Sequence, residues 1–150
     1  MKLLHGVVMG AFCLGASASL AQEPTKAPAQ PLPALPTKLT GAIDLMTSDA
    51  RQFTDGLEVQ ITSQEAGGRI GALFTRHVRY QNPNFQCIRA RDVPADGTYD
   101  GKKLVLTVRL SQSLAICSDV IYTFFRGTKE HYFFTKGKDG SWSMYLDPIQ

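Results

Sequence analysis

The chain has no apolar run of about 18 residues, so nothing in it reads as a helix that spans a membrane. It has three cysteines in 150 residues, too few for a disulfide-dense scaffold. Its thirteen glycines carry no three-residue period, which excludes a collagen-like chain. There is no G-x-S-x-G elbow, no glycine-rich phosphate loop and no H-E-x-x-H, so the common motifs of hydrolases, nucleotide binders and zinc proteases are missing. What is present is 43% hydrophobic and 19% charged, too apolar and too balanced for a disordered chain. The length suits one modest domain, alone or with a tail.

Residues 1–21 read as a secretory signal. Met1 and Lys2 form a short positive start, residues 3–14 are apolar except for His5, and residues 16–21 are small except for Leu20. Ser19 and Ala21 occupy the −3 and −1 positions of an A-x-A-like site, placing cleavage after Ala21. Cys13 leaves with that segment, and Cys87 and Cys117 remain. An even count in an exported chain predicts one disulfide, whose loop-closure entropy is worth about 3.7 kcal/mol. Residues 22–38 hold Pro24, Pro28, Pro31, Pro33 and Pro36, five of the eight prolines. Each proline fixes φ and removes a donor, so this stretch reads as a flexible tether. The folded domain is then residues 39–150, secreted or periplasmic.

That domain alternates apolar and polar residues with the period of a half-buried strand. Leu39, Gly41, Ile43 and Leu45 share a face, as do Leu57, Val59 and Ile61, then Ile70, Ala72, Phe74 and Val78. Leu104, Leu106, Val108 and Leu110 follow, with Val120, Tyr122 and Phe124 after them. Tyr132 and Phe134, then Trp142, Met144 and Leu146, close the series. With an irregular strand near residues 85–91, about eight strands are predicted. Asp100-Gly101 and Asp139-Gly140 carry tight-hairpin chemistry, with φ > 0 required or tolerated at both central positions. Short connections imply antiparallel neighbours, and eight up-and-down strands close most economically into a small barrel without exposed edges. A two-sheet β-sandwich is the alternative.

The order of elements from Leu39 to Leu146 is similar, in architecture, to lipocalin-like and avidin-like barrels. The G-x-W start of lipocalins is absent, since Ala42 and Ile43 follow Gly41, and one tryptophan, Trp142, cannot build a multi-tryptophan biotin wall.

The charge pattern supplies the candidate site. No acid falls between Ala66 and Arg91, a stretch that holds Arg69, Arg76, His77, Arg79, Arg89 and Arg91, with Tyr80 and other aromatics between them. Arginine's planar fork suits carboxylate, phosphate and sulfate. Alternation places Arg69, His77 and Arg79 on the polar face and Arg76 on the apolar one, where an arginine must pair, snorkel or line a cavity. Neighbouring acids such as Glu58 and Glu65 are the partners that would reduce this stretch to an ordinary solvated face. Asp92, Asp96, Asp100 and Asp119 read as loop acids, without the spacing of a calcium loop. A second candidate surface is the aromatic group Phe124, Phe125, Tyr132, Phe133, Phe134, Trp142 and Tyr145.

These patterns predict an exported, non-enzymatic binding module for an anionic ligand or an acidic protein surface, of the size of periplasmic inhibitors and immunity-type proteins. They imply no cofactor, no metal and no nucleic-acid partner. A small secreted hydrolase using His77 or His131, and an envelope component that oligomerises through its aromatic strands, are the alternatives.

Overall fold

A computed structural model describes residues 31–46, 50–79, 87, 89–128 and 130–149. The expected signal segment, the first part of the tether, Tyr80 and residues 81–86 lie outside the described residues.

Eight antiparallel strands close into a barrel in sequence order. They are β1 (Lys38–Met46), β2 (Gln52–Gln64), β3 (Arg69–His77), β4 (Ala90–Tyr99), β5 (Lys103–Val108), β6 (Val120–Arg126), β7 (Phe133–Lys136) and β8 (Trp142–Pro148). One helical turn, α1 (Leu110–Ser113), stands between β5 and β6. β1 pairs with both β2 and β8, so the ladder has no terminal strand. The barrel reading holds and the sandwich falls.

Register explains the interior. Leu39 faces Val59, Leu57 faces Arg76 and Val59 faces Phe74, so the apolar positions of β1, β2 and β3 share the inner face. Tyr99, Phe74, Phe124 and Phe133 are fully buried, with Leu104, Leu106 and Leu146 around them. Gly41 and Gly97 also face inward, where the strands coil tightly. A Cβ at either would run into a neighbouring backbone carbonyl, that of Tyr145 or Val105.

Several local expectations change. β4 is a ten-residue strand, not a short irregular one ending at Arg91. Pro94, Asp96 and Gly97 disguise it, but Pro94 and Asp96 point to solvent while Val93, Ala95 and Tyr99 point inward. Asp92 and Asp96 are therefore strand residues rather than loop acids. Leu110 belongs to α1, because β5 ends at Val108. In β7 the inward residue is Phe133, since it faces buried Leu146, so Phe134 turns outward. In the two Asp-Gly hairpins the glycines take positive φ, 89° for Gly101 and 73° for Gly140, and the aspartates do not. Asp100 instead holds its turn by accepting hydrogen bonds from the Lys102 and Lys103 amides at 2.9 and 2.7 Å. Those two amides also hold its carboxyl below the usual carboxylate range.

The two ends of the barrel differ. At one end, called here the strap end, residues 31–36 form no strand, yet Leu35 is buried in the core. Its amide donates to Gln64 Oε1 at 2.8 Å, and Gln64 Nε2 donates to the Pro33 carbonyl at 3.2 Å. The other, called the arginine end, carries the end of β3, the start of β4, α1 and the Cys87–Cys117 disulfide. The bridge joins Cα atoms 5.4 Å apart and ties the approach to β4 to the approach to β6.

Candidate functional site at the arginine end

Arg76 lies on the inner face of β3, as its place beside Phe74 predicts. An unpaired guanidinium there would be prohibitively costly, and Asp55 removes that cost. Asp55 is 1% exposed. Its Oδ2 accepts from Arg76 Nε at 3.1 Å and Nη2 at 2.8 Å, and its Oδ1 accepts from the Arg79 amide at 3.0 Å. Tyr122 approaches Arg76 across the interior from β6, close enough for the guanidinium to act on its phenol. Burial pushes the Tyr122 phenol up, against the opposing pull of Arg76, so the hydroxyl stays protonated. Its ring stacks on Phe74 with centroids 5.1 Å apart.

Asp55 and Tyr122 are the site residues that arginine counting misses. Parity exposes the first: Asp55, Leu57 and Val59 continue one alternation, so Asp55 must face inward. Two opposite charges on apolar faces of adjacent strands are then each other's natural partners. Of the two expected partners, Glu58 is taken by a lysine outside the stretch and Glu65 meets one arginine within it. Glu58 pairs with Lys38 at 2.7 Å, and Glu65 meets Arg69 at 3.9 Å.

A bulge shapes the outer part of the site. β3 and β4 lose register between Phe74 and Arg76. The Asp92 amide donates to Thr75 Oγ1 at 2.9 Å in place of a ladder bond, and Asp92 takes φ of 50°, a left-handed value that aspartate tolerates. The strands part there into a groove of about 410 Å³ lined by Arg76, His77, Arg89 and Arg91.

No family model, curated protein or solved structure matches the chain.

The groove thus gathers four of the sequence-predicted residues, with the exposed side chain of Arg79 two residues from His77. Among the described residues, Arg79, His77 and Arg89 have no side-chain ion pair, and Arg91 has only an exposed 3.9 Å contact with Asp92. Arg69 is not brought to this group. It begins β3 and stands at the strap end. Arg109 gives the contrast. It follows β5 at the arginine end, and its fork is filled by Asp96 at 2.7 and 3.0 Å and Asp119 at 3.0 Å. Those hydrogen bonds hold its guanidinium above its ordinary pKa.

The aromatic group divides between two surroundings. Phe124 and Phe133 are core, whereas Phe125 and Phe134 face each other across β6 and β7 on the outer surface, with Tyr145 beyond Phe134. His131 stacks on Tyr145 at 4.5 Å, and its Nδ1 lies 3.4 Å from Asp147 Oδ2. The ring nitrogen of His131 thus faces a carboxylate.

Proposed function

We propose that the chain is an exported, non-enzymatic binding module that holds an anionic group at the arginine end of its barrel. The observation that carries this reading is the inequality among arginines at one end. Arg76 and Arg109 have donors filled by aspartates, while Arg89 and Arg91 line one groove as exposed residues and Arg79 is exposed two residues from His77 of that groove. Arginines set side by side repel one another, and an incoming carboxylate, sulfate or phosphate relieves that repulsion with bidentate hydrogen bonds. Inhibition of an acidic partner protein is the form of this function that fits an exported domain of this size. The signal-like start and the disulfide support export.

The test is calorimetric titration of the full chain with inorganic sulfate and with a glutamate-rich peptide. Saturable binding is expected, lost in R79Q/R89Q/R91Q while the far-ultraviolet circular dichroism stays unchanged. Arg76 is left in place, because removing it strands Asp55. Equal binding by the triple variant and the parent overturns the assignment.

A further inference from the structure

β6 and β7 pair at only two positions, Phe125 with Phe134 and Arg126 with Phe133. β6 nevertheless reaches back to Val120, and β7 runs on to Lys136. Beyond the two pairs the strands separate and leave a gap in the barrel wall towards the arginine end. Through it opens a cleft of about 400 Å³, within the range of small-ligand sites. Its walls are mostly inward-facing residues, among them Leu45, Val120, Tyr122, Trp142 and Met144, with Thr135 and the outward Ile121 and Thr123 also lining it. None of the lining side chains is charged. The cleft and the basic groove share no lining residue, but Tyr122 of the first stacks on Phe74, two residues along the same inner face of β3 from Arg76 of the second.

We propose that this gap holds the unbranched apolar chain of an amphiphile whose anionic head lies toward Arg76 and the groove of Arg89 and Arg91. The head's placement rests on the reading that those arginines meet an anion; the chain's placement does not. Charge complementarity selects this ligand: an uncharged cleft of about 400 Å³ meets, where Tyr122 approaches Arg76, a groove that carries the exposed guanidinium groups of Arg89 and Arg91. The protonated Tyr122 hydroxyl adds a donor at the junction. The disulfide sets the two walls together, with Cys87 two residues before Arg89 and Cys117 three before Val120.

Trp142, the chain's single tryptophan, lines the cleft and reports its occupancy. Titration of the full chain with dodecanoate below its micelle concentration is expected to give a saturable blue shift of Trp142 emission. Dodecanol should bind about tenfold more weakly, for want of the head. Thr135→Phe, which fills the slot, should abolish both while calorimetric sulfate binding persists; Val120→Phe serves if Thr135→Phe does not fold. R89Q/R91Q should bring dodecanoate down to the affinity of dodecanol. An unsaturable response to both alkyl probes overturns the inference and leaves the sulfate result to judge the anion site alone. Equal affinity for dodecanoate and dodecanol in the parent chain also overturns it.

Discussion

At the strap end, Tyr99 and Phe133 meet edge to face with centroids 5.9 Å apart, and Leu35 packs into the same core. At the arginine end, the interior finishes on Arg76, Asp55 and Tyr122, and the wall beside it is open between β6 and β7. The interior of the strap end is closed by apolar side chains, and the cleft beside its β6–β7 turn is lined by Arg126, His131 and Asp147. The other keeps buried charge, solvent-exposed arginines and an apolar cleft. Folding alone rewards the first arrangement, because a buried ion pair adds little stability over a well-packed apolar pair. The second arrangement is what a binding surface needs, with donors already fixed in place before the ligand arrives.

The largest effect expected is at the boundary between these two designs. Arg76→Met leaves Asp55 buried without its partner and should cost about 3–5 kcal/mol in urea unfolding, with much of the loss recovered in R76M/D55L. Full stability in R76M would show that Asp55 is solvated and the arginine end less closed than described. Removing the bridge in C87A/C117A should cost about 2–4 kcal/mol. Hydrogen exchange should then rise most near Arg89 and Val120, and little near Leu35. Leu35→Ala should cost about 2 kcal/mol by emptying a buried position at the strap end, without altering sulfate binding. A loss of binding in L35A would couple the two ends and break the comparison.

Smaller still is the change in R89Q/R91Q, within about 0.5 kcal/mol, because both residues are exposed and the Arg91–Asp92 contact at 3.9 Å lies in solvent. A marked destabilisation there would show that these arginines support the fold. The Arg109 cluster supplies the pH arm. The Ser111 hydroxyl, then Arg109, holds the Asp119 carboxyl below its ordinary value. A lowered folded pKa contributes stability above the unfolded value near 3.9, lost as pH falls through the folded pKa. Urea midpoints measured downward from pH 5 should therefore fall less steeply in Asp119→Asn than in the parent.

Much of the barrel was legible because alternation survives wherever one strand face is buried. β1, β5 and the first half of β8 read directly from residues such as Leu39, Leu106 and Met144. β4 was harder, since Pro94, Asp96 and Gly97 have the composition of a loop; they are tolerated because two point outward and glycine is needed for close strand approach. The arginine-rich stretch and the disulfide were also readable. What one-dimensional pattern could not supply was partner choice. Which acid takes Arg76, that Arg69 lies a strand's length from Arg89, and where β6 leaves β7 all depend on register across strands distant in sequence.

The most direct test of the central claim is a sulfate titration followed through the arginine side-chain Nε–Hε resonances. The account predicts saturable shifts for Arg89 and Arg91, with Arg109 and Arg69 unmoved as paired and remote controls. Shifts of equal size at Arg69, or none that saturate at Arg89 and Arg91, would contradict it.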